Sequence, residues 1–74
     1  MTELDARGLK CPLPVLRARK LLKSMNVGDE LMIIATDPAA PRDFAAFCAE
    51  AGHDLLSSME EAGESRILLR RGGG

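Results

Sequence analysis

The segment Arg7-Gly8-Leu9-Lys10-Cys11-Pro12-Leu13-Pro14 constrains the fold more than any other part of this 74-residue sequence. Proline has no backbone N–H and a preset φ, so it is tolerated in the first turn of a helix and costly further in. Pro12 and Pro14 therefore predict that a helix begins at or just after Cys11. Unpaired N–H groups at a helix start favour negative charge, so we expect an exposed Cys11 with a lowered thiol pKa.

Hydrophobic periodicity predicts the remaining elements. We expect strands over residues 3–6, 30–36, 54–60 and 65–71, with helices over residues 12–25 and 41–51. Each helix has one apolar stripe, formed by Val15, Ala18, Leu22 and Met25 in the first and by Phe44, Phe47, Cys48 and Ala51 in the second. The predicted fold is an α/β two-layer sandwich of order β-α-β-α-β-β, with a mixed four-stranded sheet and both helices on one face.

Length and cysteine content narrow the kind of protein. Residues 1–74 are expected to form one domain, with residues 72–74 as a flexible tail. Cys48 lies on an inward stripe, which predicts a buried and inert thiol. Two distant cysteines and one histidine give no common zinc set, and no metal or other cofactor is expected. No apolar run is long enough to span a membrane and no secretory leader is visible, so we expect a cytoplasmic protein.

Charge is distributed unevenly along the chain. Residues 1–23 hold six basic and two acidic side chains, whereas the rest hold four basic and nine acidic ones. A basic end can steer a charged partner toward Cys11. The candidate docking residues are Arg7, Lys10, Leu13, Leu16, Arg19, Lys20 and Lys23. Only two aromatic residues occur, which argues against base stacking and direct nucleic-acid binding.

The region around Cys11 resembles the signature of the TusA family of sulfur carrier proteins, also called SirA-like. The family hallmark is Cys-Pro-x-Pro after an Asp-x-x-Gly-Leu strand, which residues 5–14 match. The similarity continues over most of the chain, through residues 28–31 and 36–38, Asp43, residues 47–48 and residues 52–53.

This resemblance implies a β-α-β-α-β-β sandwich in which Cys11 accepts a sulfane sulfur as a persulfide and passes it to another protein. Gly8, Pro12 and Pro14 are then expected to shape the site. The implied donor is a cysteine desulfurase or a rhodanese-like protein, and the implied acceptor is a DsrE-type relay protein. The sulfur would serve tRNA 2-thiolation, molybdenum cofactor maturation or sulfur oxidation. Such a relay has no turnover of its own, so we expect a carrier, most simply a monomer, rather than an enzyme.

Two other functions fit the residues. Cys11 could serve a redox-sensing or regulatory module, forming a sulfenic acid or mixed disulfide. Alternatively, the end Arg70-Arg71-Gly72-Gly73-Gly74 could carry sulfur as a C-terminal thiocarboxylate.

Overall fold

The structure is a computed structural model, and it describes residues 1–73. Its elements are β1 (Thr2–Ala6), α1 (Leu13–Leu22), β2 (Glu30–Ala35), α2 (Ala40–Ala51), β3 (Asp54–Glu61) and β4 (Glu64–Arg70). The predicted order β-α-β-α-β-β is therefore confirmed. Gly74, the last residue of the predicted tail, lies outside the described residues.

The four strands form one mixed sheet in the order β1-β2-β4-β3. β1 pairs with β2 in parallel, and β4 pairs antiparallel with both β2 and β3. Since β1 and β2 run in the same direction, the loops that follow them leave the sheet at the same end. This places the segment around Cys11 beside the segment that leads into α2.

The core lies between the sheet and the two helices. Leu31 and Ile33 of β2, Ile67 and Leu69 of β4, and Phe44 of α2 are its largest fully buried side chains. Burial along β2 alternates between buried and half-buried residues. The nearly continuous apolar run of β2 thus reflects its central place in the sheet, with only one face fully covered by helices.

Helix α1 is shorter than predicted. Pro12 is its N-cap and Pro14 stands in its first turn, as the proline pattern indicates. Its last residue is Leu22 rather than Met25, because the following residues form a turn in which the Ser24 hydroxyl donates to the Leu21 carbonyl. Arg71 Nε donates to the Leu22 carbonyl at 2.8 Å, which satisfies another terminal acceptor of the helix.

Helix α2 buries the stripe that its sequence predicts. Phe44, Phe47 and Cys48 are buried, and Ala51 packs against the core. Gly52 ends the helix in the left-handed conformation (φ 79°), and its N–H donates to the Cys48 carbonyl. The predicted burial of Cys48 is confirmed, and burial raises the pKa of its thiol.

Candidate functional site

Cys11 lies at one end of the molecule, in the loop between β1 and α1. Gly8 turns the chain out of the sheet with φ 80°, a conformation that favours glycine, and its N–H donates to Thr36 Oγ1 at 2.9 Å. Cys11 is exposed and carries a free thiol. Pro14 is buried beneath it, so the two prolines stand on either side of the helix start, one exposed and one in the core.

One carboxylate connects the Cys11 loop to the start of α2. Asp37 Oδ2 accepts a hydrogen bond from the Cys11 N–H at 2.6 Å, and Asp37 Oδ1 accepts one from the Ala39 N–H at 2.9 Å. Both hydrogen bonds stabilise the ionised carboxylate and lower the pKa of Asp37. Asp37 thus positions the backbone of the cysteine relative to the second helix.

A second carboxylate faces the sulfur itself. Asp43, in the first turn of α2, lines with Cys11 both of the small crevices that flank the thiol. The adjacent Asp43 carboxylate is the main reason why the pKa of Cys11 is raised, followed by desolvation and by the negative charge of Asp37. Arg42 offsets only part of this effect.

The prediction of a lowered thiol pKa is therefore wrong for Cys11. It rested mainly on the start of α1, and Leu13 is the first residue of that helix. The acidic side chains of the loop before α2 and of its first turn lie against the same sulfur, and their charge disfavours the thiolate. These carboxylates therefore favour the thiol over the thiolate at Cys11.

The two basic residues nearest to Cys11 in sequence act on other carboxylates rather than on its sulfur. Arg7 forms a two-bond ion pair with Asp5, both contacts at 2.9 Å, and lies 3.6 Å from Glu64. Lys10 lowers the pKa of Asp37. The residue whose charge does lower the pKa of Cys11 is Arg42, which the sequence interpretation did not single out.

The exposed side of α1 combines apolar and basic residues. Leu13 and Leu16 are 44% and 49% exposed. The basic residues around them are Arg17, Arg19, Lys20 and Lys23, all exposed. Leu13, Leu16, Arg17 and Lys20 share an open groove of about 730 Å³, whereas Arg19 lies on the α2 side, 5.5 Å from the centre of the Phe47 ring. Arg17 is thus a surface residue that the sequence interpretation missed.

The C-terminal segment is partly built into the fold. The Gly72 N–H donates to His53 Nδ1 at 2.9 Å, and a Cβ on Gly72 would overlap the Gly52 carbonyl. Arg71 pairs through its backbone with Asp29 and Gly28. Gly72, the first residue of the predicted tail, is thus packed and hydrogen-bonded, whereas Gly73 is exposed and has open space around its Cα.

Sequence reasoning assigned no role to three residues of the site, which are Asp37, Arg42 and Asp43. Asp37 and Asp43 matched the family pattern, but no spacing rule connects them with Cys11 across two secondary-structure elements. An Asp-Pro pair before a helix and an acid in a first helical turn both have ordinary structural explanations. Only the pairing of β1 with β2 brings them to the cysteine.

An exposed thiol at the tip of a small α/β sandwich, next to a partly apolar and basic helix face, is the arrangement of a protein that exchanges a group with other proteins. The sequence model of the family described as sulfurtransferase TusA matches residues 2–71. This chain belongs to the TusA family of sulfur carrier proteins.

Individual relatives agree with this assignment. The chain is 49% identical to the sulfur carrier protein TusA of Allochromatium vinosum, over 93% of this chain and 91% of that protein. It is 57% identical to putative sulfur carrier proteins of Neisseria meningitidis serogroups A and B, over 90% of each chain.

A solved structure supports the fold. The SirA-like protein from Desulfitobacterium hafniense superposes with a TM-score of 0.84 at 22% identity, covering 97% of this chain and 99% of that one. The predicted two-layer sandwich is thus confirmed by a crystal structure as well as by the strand order. Neither α1 nor α2 has the length and apolar character that a membrane-crossing helix requires.

Proposed function

We propose that Cys11 is the residue that carries sulfur, as a persulfide received from one protein and delivered to another. The observation that supports this most directly is the contrast between the two thiols of this TusA-family chain. Cys11 is exposed at the tip of the sandwich, whereas Cys48 is 2% exposed within the core. Thiol exchange needs access to the attacking sulfur, and Cys11 has it.

The proposed chemistry is a sulfur transfer between thiolates. The Cys11 thiolate attacks the outer sulfur of the donor's persulfide, so a new S–S bond forms at Cys11 while the donor's S–S bond breaks. The donor cysteine leaves as a thiolate and takes up the proton that Cys11 gave up. Delivery to the acceptor repeats this exchange, with the Cys11 sulfur now the leaving group.

The partners proposed are those of a relay. A cysteine desulfurase or a rhodanese-like protein is the donor, and a DsrE-type protein is the acceptor. The exposed face of α1 is the proposed docking surface, because Leu13 and Leu16 are apolar, exposed and surrounded by basic residues. The chain then acts as a monomeric carrier without turnover of its own, in the cytoplasm, where thiols are kept reduced.

The redox-sensor alternative has less support than sulfur transfer. Both reactions need the Cys11 thiolate, so its raised pKa does not separate them, whereas the family and the relatives that match this chain are sulfur carriers. The thiocarboxylate alternative is also less well supported, because Gly72 is hydrogen-bonded to His53 and packed against Gly52.

Mass spectrometry after incubation with a cysteine desulfurase and cysteine tests the proposal. We expect an adduct of ~32 Da, one sulfur atom, that maps to Cys11 and is removed by reductant. Cys48→Ala should still acquire it and Cys11→Ser should not. An adduct that persists in Cys11→Ser, or oxidation in ~16 Da steps without a sulfur adduct, would refute the persulfide role.

A further inference from the structure

A groove runs from Cys11 between the two helices. Its volume is about 240 Å³, and it is lined by Cys11, Pro12, Val15, Arg19, Asp43, Ala46, Phe47 and Glu50. A group that lies in this groove is next to the Cys11 sulfur. The charges in its walls therefore act on whatever the partner places next to the transferred sulfur.

The wall formed by α2 is acidic. Asp43 and Glu50 both line the groove, and Asp43 is the one that also faces the sulfur. Asp37 is occupied by two backbone N–H groups. By contrast, among residues 1–73 no lysine, arginine or histidine lies within ion-pair distance of the Asp43 carboxylate.

The cationic side chains near the groove leave the Asp43 carboxylate available to a partner's cation. Arg19, on the α1 wall, has its guanidinium over the Phe47 ring, which engages its charge. Arg42 lowers the pKa of Cys11 without cancelling the effect of the carboxylates. Lys10 acts on Asp37. A cation entering the groove would thus find a half-buried carboxylate next to the reactive sulfur.

We propose that Asp43 determines specificity in sulfur transfer: it selects partners that place a cationic group beside the sulfur they donate or accept. The inference rests on the proposed role of Cys11 as the sulfur carrier. An ammonium or guanidinium next to Asp43 neutralises the charge that disfavours the Cys11 thiolate, so a matching partner both binds and activates the thiol. A partner with an acidic group at this place meets repulsion instead.

Small symmetrical disulfides of different charge are suitable probes. Cystamine carries two ammonium groups, 2-hydroxyethyl disulfide is neutral, and 3,3'-dithiodipropionate carries two carboxylates, each charge a few bonds from the sulfur. In each reaction the Cys11 thiolate forms a new S–S bond with half of the reagent. The other half leaves as a thiolate that takes up the proton. Second-order rates are measured by mass spectrometry on wild type and variants.

Rate ratios remove the intrinsic reactivity of each reagent. We expect the ratio of cystamine to 2-hydroxyethyl disulfide to fall about two- to fivefold in Asp43→Asn, the range of a single exposed ion pair. The ratio of the rate with 3,3'-dithiodipropionate to the rate with 2-hydroxyethyl disulfide should rise in the same variant. Asp29→Asn is the matched control, because Asp29 precedes β2 at the opposite end of the sheet from Cys11 and should leave both ratios unchanged.

Two further measurements distinguish this role from a structural one. With neutral iodoacetamide, the pH profile of Cys11 alkylation should move to lower pH in Asp43→Asn. In wild type, the cystamine preference should shrink as salt is raised from 10 mM to about 0.5 M. An unchanged cystamine ratio in folded Asp43→Asn, or a salt-independent wild-type ratio, would overturn the inference. Persulfide loading of Cys11 is measured separately, so failure of the proposed sulfur-carrier function can be distinguished from failure of the inference about Asp43.

Discussion

The Cys11 N–H donates a hydrogen bond of 2.6 Å to Asp37 Oδ2, which lies in the loop before α2. Asp37 also holds the Ala39 N–H at the start of α2. One carboxylate thus connects Cys11 to the helix that provides Asp43. The two hydrogen bonds of Asp37 therefore link the stability of the Cys11 loop to the chemistry of the Cys11 sulfur.

Asp37→Ala should loosen this connection. Both N–H groups lose their acceptor, so we expect the melting temperature to fall by several degrees and the protection of the Cys11 amide from hydrogen exchange to decrease. Glu50→Ala removes a charge from α2, where Glu50 accepts no backbone hydrogen bond within residues 1–73, and should change neither the melting temperature nor the amide protection. Equal melting temperatures for the two variants would contradict this role of Asp37.

The pH dependence of stability should reflect His53. Its Nδ1 accepts a hydrogen bond from the Gly72 N–H, and desolvation and the charge of Arg71 lower its pKa. The stabilisation that neutral His53 provides is complete above pH 6.5, the ordinary pKa of histidine. It is lost as the pH falls through the lowered pKa of His53 in the folded protein. Because the chain has one histidine, the loss of stability between about pH 7 and 5 should be smaller in His53→Gln. An identical pH dependence in both proteins would contradict the contact.

The glycines at the C-terminus should differ in their tolerance to alanine. Gly72→Ala should lower stability strongly or displace the last residues, because its Cβ would overlap the Gly52 carbonyl. Gly73→Ala is the matched control, since nothing lies within 4 Å of the added Cβ, and should be neutral. Denaturant unfolding compares the two. If Gly73→Ala were instead the more damaging substitution, the last residues would be placed differently from this structure.

Cys48→Ala should leave sulfur loading of Cys11 intact. Removing a buried sulfur leaves a small cavity beside Phe44 and Phe47 in the core, at a cost of roughly 1 kcal/mol in the free energy of unfolding. Chemical denaturation measures the cost and mass spectrometry measures the loading. Loss of loading in a folded Cys48→Ala protein would show that the second thiol takes part in transfer.

The basic face of α1 should influence the rate of sulfur acceptance. Charge reversal of Arg19, Lys20 and Lys23 should slow acceptance from a desulfurase at low salt while the melting temperature changes little, because all three are exposed. Reversing Lys20 alone tests the groove shared with Leu13 and Leu16, and reversing Arg19 alone tests the α2 side. Unchanged rates at low salt in the triple variant would exclude this face as the docking surface.

Local rules in the sequence were sufficient for much of the architecture. Pro12 and Pro14 located the helix start within two residues, because proline geometry acts on its own turn. The stripe containing Phe44, Phe47 and Cys48 identified the buried face of α2, since helical periodicity needs no tertiary information. The end of α1 was less predictable, because Leu22 receives its terminal hydrogen bond from Arg71, far along the chain.

Residue patterns alone predicted that a helix begins just after Cys11 in a TusA-like chain and that Cys48 is buried. The electrostatics around the Cys11 sulfur depend instead on tertiary packing. The parallel pairing of β1 with β2 brings Asp37, 26 residues away, and Asp43 of the following helix against Cys11. Charge acts through space rather than along the chain, so the expected low-pKa thiolate is instead a thiol whose pKa is raised by two carboxylates.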